Sequence, residues 1–269
     1  MSRPVLYFAH ANGFPAPCYG ALLEPLGARF RVAYLETIGT DPRYPVSERW
    51  PHLVEQLEHA IEGECRGAPV YGVGHSLGGY LTFLAAVRRP ELFRAIVLLD
   101  APVIGALRGR MLGATKRLGV VDRVTPAGAT RDRRGDWDSR EAAKAHFRSR
   151  KLFRDFSERC LDDYVRYGLV ASHGRLRLRI PPQIEYQIYR TIPHDMNRYL
   201  GALAVPAGFI GGTRSEVVRR VGLGAMRGRF VLRKVPGGHL FPFEHPGEAA
   251  RALEEMLGEL AARGARKVR

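Results

Sequence analysis

A hydroxyl, an imidazole and a carboxylate, the three groups that together perform acyl transfer, stand at the ends of apolar runs in this chain. Ser76 sits in Gly74-His75-Ser76-Leu77-Gly78-Gly79, between the apolar run 70–73 and a helix-like run over 80–87. A serine at the tip of a strand-to-helix turn has a strained backbone, so the residues two before and two after it must be small for strand and helix to approach. Its Oγ then projects into a cleft. The first N–H of the following helix, that of Leu77, points where an oxyanion would form, and the helix dipole assists it. Near the C-terminus an apolar run over 230–235 leads into Pro236-Gly237-Gly238-His239, which makes His239 the candidate base. Near the N-terminus a buried-strand pattern runs into His10-Ala11-Asn12-Gly13-Phe14-Pro15, a turn-rich loop able to supply a second oxyanion donor.

Positioning such groups needs a rigid frame, and the alternation of patterns predicts one. Strand-like segments at 4–9, 30–35, 69–74 and 95–100 alternate with helix-like segments near 19–27, 48–62 and 77–88. The pattern resumes after residue 205 as strand 206–211, helix 215–225, strand 230–235 and helix 246–262. This order implies an α/β protein with a mostly parallel, doubly wound sheet, whose ligands lie outside the C-terminal strand ends. The candidate segments all fall at such ends. The interruption at 103–204 reads as a mainly helical cap, with the core as 1–102 and 205–269. Within it Phe147, Phe153, Phe156, Leu161, Tyr164, Val165 and Tyr167 have helical spacing suited to packing over the core. Turns fall at Pro181-Pro182 and Ile192-Pro193-His194. Phe14, Tyr19, Tyr186, Tyr189 and Phe241, with His10, are candidates to line a substrate pocket.

Taken jointly, the His10 loop, the Gly74–Gly79 turn and the Gly238-His239 loop resemble those of the α/β-hydrolase superfamily, serine-esterase-like and with a helical cap insertion. The resemblance spans residues 4–100 and 205–262. The order of serine first and histidine last is that of this superfamily and of neither chymotrypsin-like nor subtilisin-like proteases. It implies a second oxyanion donor at the N–H of Asn12, although this loop begins His-Ala where many relatives begin His-Gly. For the acid, two positions known in the superfamily offer Glu216, after strand 206–211, and Asp100, which ends strand 95–100. Asp100 is preferred, because a strand-end Asp is short enough to hold the imidazole without extra loop reach. A serine in place of Asp argues against the superfamily's aspartyl-ester chemistries.

Bulk properties bound the reading. The 269 residues are 45% hydrophobic, enough for one large core. The short apolar stretch after Met1-Ser2-Arg3 is too brief for a signal peptide or a membrane span, so a cytoplasmic chain without stable membrane insertion is expected. Cys18, Cys65 and Cys160 are odd in number and widely spaced, which favours reduced thiols. Neither a metal site nor a cofactor is expected. The formal net charge is +15, and residues 103–204 carry 21 Lys and Arg against 11 Asp and Glu. That excess is read first as a solvated basic face, then as steering for an anionic substrate. Nucleic-acid binding is disfavoured for want of an accompanying motif. The expected activity is hydrolysis of a small-molecule carboxylic ester or thioester through an acyl-enzyme intermediate. The alternative is a non-catalytic ligand-binding or sensing protein on the same scaffold.

Overall fold

Strand register explains how both sheet faces come to be buried. The computed structural model describes residues 3–65, 67–131 and 133–267. Met1, Ser2 and the side chain of Cys65, which figured in the expectations above, lie outside the described residues. Among the described residues the strands fall into two sheets. Six strands, β1 (Val5–Ala9), β2 (Arg31–Tyr34), β3 (Val70–His75), β4 (Phe93–Leu99), β8 (Ala207–Gly212) and β9 (Phe230–Val235), form the first sheet in the order β2-β1-β3-β4-β8-β9. Every pairing within it is parallel. Alternate residues face opposite layers. Leu6, Phe8, Val97 and Leu99 pack with Leu253, Met256 and Leu257 of the final helix, Pro246–Lys267. Tyr7, Ala9, Ile96 and Leu98 pack with Leu53 and Leu57 of helix Pro51–Cys65 and with Leu81 and Phe83 of helix Leu77–Arg88. The chain leaves β1 toward β2 and later returns to β1's other side at β3. That reversal is the switch point beside which ligands bind in doubly wound sheets, and both the His10 loop and Ser76 border it.

Several elements depart from the sequence expectation for local reasons. The stretch expected as one helix near 19–27 is three short turns, Ala16–Tyr19, Gly20–Leu23 and Pro25–Ala28, because Pro25 lacks the N–H a continuous helix needs. The next helix starts at Pro51 rather than 48, since Arg49 and Trp50 have positive φ. The helix after β8 covers only Glu216–Val221 and stops at Gly222, whose φ is +73°.

Residues 103–204 lie between β4 and β8 and are not purely helical. Helices Ala106–Arg117, Arg140–Arg148, Glu158–Tyr167 and Pro182–Arg190 accompany a three-stranded antiparallel sheet of β5 (Asp136–Trp137), β6 (Leu169–Ser172) and β7 (Arg175–Leu178). His173 and Gly174 form the β6–β7 turn with φ of 49° and 73°, the positive values that match hairpin twist. An aromatic cluster seats this segment on the sheet layers. Phe14 lies 5.2 Å from Tyr164 and 5.1 Å from Phe243, ring to ring, and Phe156 stacks on Phe243 at 4.8 Å. Each such buried ring contributes about 1.5–3 kcal/mol. Among the described residues no helix is long and apolar enough to cross a membrane.

Candidate active site

At the end of β3 the chain turns through Ser76 with φ 51° and ψ −113°, a conformation that costs a non-glycine residue about 1–3 kcal/mol. Close approach holds it there. A Cβ built on Gly74 would lie 2.2 Å from the Gly78 carbonyl oxygen, and one on Gly78 would lie 2.0 Å from that of Ala9. Only glycine fits at either position. The Gly78 N–H donates to the His10 carbonyl at 3.1 Å, which fixes the N-terminal loop beside the serine turn. As the first residue of its helix, Leu77 has an N–H with no intrahelical acceptor, directed out of the helix end.

Asp100 follows β4 with a positive φ of 46° and is fully buried. Its N–H donates to the Ile210 carbonyl at 2.8 Å, an extension of the β4–β8 pairing. Oδ1 accepts from the Gly212 N–H at 2.8 Å, while Oδ2 accepts from the Ser215 hydroxyl at 2.5 Å and from His239 Nδ1 at 2.7 Å. These donors offset the cost of a charged carboxylate removed from water. The His239 side chain is 28% exposed, and its Nε2 lies 3.0 Å from Ser76 Oγ. One hydrogen-bonded line thus runs from Ser76 through His239 to Asp100. Glu216 is elsewhere: it is exposed and pairs with Arg219 at 2.5 Å on its own helix.

Ser215, which the sequence reading missed, serves two groups at once. Its Oγ also accepts from the Val218 N–H at 3.1 Å, capping helix Glu216–Val221. Ser215→Ala is expected to lose about 1 kcal/mol from the cap and about 1.5–3 kcal/mol from the charged hydrogen bond. Turnover is expected to fall about tenfold, because the Asp100 carboxylate keeps its contact with His239 but loses a brace. Chemical denaturation and initial rates measure both effects.

The histidine just before the serine is also tied into the site. His75 is buried; its Nε2–H donates to the His239 carbonyl at 2.9 Å, and its Nδ1 accepts from the Tyr19 hydroxyl at 2.8 Å. Tyr19 in turn accepts from the Ala11 N–H at 3.2 Å. Burial, followed by the neighbouring His239, pushes the His75 pKa down to about 3, so its ring is neutral and can accept from Tyr19. A relay of polar groups therefore joins the His10 loop to the backbone of the base loop. His10 is equally buried. The backbone N–H of Ile38 donates to its Nε2 at 2.8 Å, which leaves Nδ1–H to donate to the Ala11 carbonyl at 2.8 Å. Desolvation lowers its pKa to about 4.

The remaining candidates are dispersed. Asn12 lies within the loop, its side-chain Nδ2 donating to the Glu185 carbonyl at 2.9 Å, and Tyr189 is half-buried on the same helix as Glu185. Phe14 belongs to the aromatic cluster, and Phe241 is fully buried in the core layer of the final helix. The Tyr186 hydroxyl donates to Asp122 at 2.8 Å, beneath the Arg131 guanidinium. Cys18 and Cys160 are free, buried thiols, and burial raises the pKa of both.

A strained serine, a bridging imidazole and a buried carboxylate thus stand together at the C-terminal ends of parallel strands. Residues 6–252 match the model of the alpha/beta hydrolase family, and the chain belongs to that family. It is 30% identical over 104 residues to a probable esterase of Oryza sativa subsp. japonica, a match covering 37% of this chain and 38% of the rice protein. It is 26% identical over 230 residues to the abhydrolase domain-containing protein AFT2-1 of Alternaria alternata, covering 70% and 83% of the two chains. The solved structure of E-2-(acetamidomethylene)succinate hydrolase superposes with a TM-score of 0.76 at 20% identity, over 96% of this chain and 92% of that one.

Proposed function

We propose that this chain is a carboxylesterase-like serine hydrolase that cleaves a small-molecule carboxylic ester or thioester. Ser76 is the nucleophile, His239 the general base and acid, and Asp100 the carboxylate that holds the imidazole tautomer. The N–H groups of Leu77 and Asn12 form the oxyanion hole. Residues 1–102 and 205–269 are the catalytic core, and 103–204 are a cap over the strand ends. The observation that carries the reading is the unbroken line of Ser76 Oγ, His239 and Asp100, with contacts of 3.0 and 2.7 Å. The family and the name of the rice relative point the same way. Free thiols at Cys18 and Cys160 suit a cytoplasmic chain.

As Oγ bonds to the substrate carbonyl carbon, its proton passes to His239 Nε2, and the oxygen acquires the negative charge that the two N–H groups receive. Collapse breaks the bond to the leaving oxygen or sulfur, which takes the proton from Nε2 and departs. Water then adds to the acyl-enzyme, giving a proton to Nε2, and that proton returns to Oγ as the acid is released. Asp100 stays ionised throughout and stabilises the transient imidazolium. In pre-steady-state hydrolysis of 4-nitrophenyl butyrate, a nitrophenolate burst stoichiometric with enzyme is expected wherever deacylation is the slower step. The matching acyl adduct should appear by intact mass after acid quench. Turnover retained in full after Ser76→Ala would exclude the covalent route.

A further inference from the structure

Two charged side chains of the segment between β4 and β8 are buried against the loop that follows β1. Glu185, in the first turn of helix Pro182–Arg190, has a side chain only 4% exposed. A Cβ built on Gly13 would lie 2.8 Å from its Oε1, so the carboxyl rests directly on the loop. Arg133, 19% exposed, reaches it with Nη1 at 3.1 Å from Oε1 and 3.0 Å from Oε2. Its Nη2 donates to the Tyr164 hydroxyl at 3.2 Å, and that hydroxyl donates to the Gly13 carbonyl at 3.3 Å. The proposed reaction uses neither charge, yet both lie on the loop assigned the second oxyanion donor.

A buried ion pair offsets its desolvation only when the remaining hydrogen-bonding capacity is filled. Here it is not. Among the described residues Arg133 is the one donor to the Glu185 carboxyl, and Asn12 Oδ1, buried in the same cluster, has no hydrogen-bond partner. A guanidinium offers a planar fork that matches a carboxylate in two-point contact, whereas Glu185 meets that fork through Nη1 alone, Nη2 being turned to Tyr164. We propose that Arg133 and Glu185 are a recognition subsite for a carboxylate borne on the acyl part of the substrate. The preferred substrates are then half-esters or half-thioesters of dicarboxylic acids. This inference rests on the serine-hydrolase reading above. Arg133 pairs with the incoming carboxylate and Glu185 releases it, taking up a proton from solvent where it is still ionised.

The groups that face Glu185 are Arg133, the hydroxyls of Tyr164 and Tyr189, and the amide of Asn12. Burial raises the pKa of both tyrosines, which keeps them neutral. Burial likewise raises Glu185 to about 7, against the attraction of Arg133. Glu185 is therefore neutral and leaves Arg133 available below about pH 7, and becomes a competing anion above it.

The test uses the full chain and pairs of 4-nitrophenyl esters matched in acyl length: half-esters of succinate, glutarate and adipate against butyrate, pentanoate and hexanoate, corrected for spontaneous hydrolysis. The readout is the ratio of kcat/KM for the charged over the neutral member, from which any pH dependence common to both members divides out. In at least one pair that ratio is expected to exceed about 10 near pH 6 and to fall about tenfold by about pH 8, following the neutral fraction of Glu185. Arg133→Met is expected to lower the ratio at least about 20-fold, a loss typical of a charged hydrogen bond. Glu185→Gln is expected to hold it at the low-pH value across the range. The opposite signs separate recognition from packing, and Glu185→Gln decides alone should Arg133→Met not fold. A wild-type ratio at or below one for every pair, or one unmoved by both substitutions, overturns the subsite while leaving the hydrolase reading intact. Failure to turn over any member of either series overturns that reading and the subsite with it.

Discussion

Ser76→Ala is expected to lower ester hydrolysis at least about 10⁴-fold while the protein remains folded. The substitution removes one atom. Alanine occupies the same backbone conformation, and the close approach of Gly74 and Gly78 that sets the turn is untouched. The Leu77 and Asn12 N–H groups also stay in place, so residual catalysis from oxyanion stabilisation alone is expected to survive. Steady-state rates with circular dichroism and a melting curve separate chemistry from folding. A variant that retains more than about a tenth of wild-type turnover would assign the reaction to another group.

The second large effect concerns the acid. Asp100→Asn is expected to cost about 10³–10⁴ in kcat, whereas Glu216→Gln is expected to stay within about twofold. An asparagine amide keeps the shape but presents a neutral group to His239, so the imidazolium formed in the transition state loses its counter-charge. Oδ2 also receives the Ser215 hydroxyl and Oδ1 the Gly212 N–H, so an amide nitrogen at either position would face a donor. Glu216 has no such geometry: it sits on the exposed side of its helix against Arg219. Comparison of kcat for the two variants under matched conditions settles the assignment. Reversal of their ranking would move the acid to Glu216.

Legibility in the sequence followed the range of the forces involved. The turn that carries Ser76 and the strand end that precedes His239 were legible, because glycine spacing and buried apolar runs are local signals. The six strands of the parallel sheet likewise fell within a few residues of their places, since buried apolar runs bounded by turns need only local sequence. The choice between Asp100 and Glu216 was not local. It depends on the β4–β8 register, which sets the Gly212 N–H against a carboxylate 112 residues away. The link from Ser215 to Asp100 is non-local in the same way, since it spans 115 residues. Nothing near His75 in the sequence announces that Tyr19 and the His239 carbonyl converge on its ring. In contrast, the hairpin of β6 and β7 carried an overlooked local signal: Leu169-Val170-Ala171-Ser172 and Arg175-Leu176-Arg177-Leu178 flank a His-Gly turn.

The most direct test of Ser76 as an activated nucleophile is its reaction with a fluorophosphonate, read by intact mass and peptide mapping. One adduct per chain on Ser76, lost in Ser76→Ala and strongly slowed in His239→Ala, is the expected result. A folded chain that forms no adduct, or one that carries it on another residue, would contradict the assignment of Ser76 as the nucleophile.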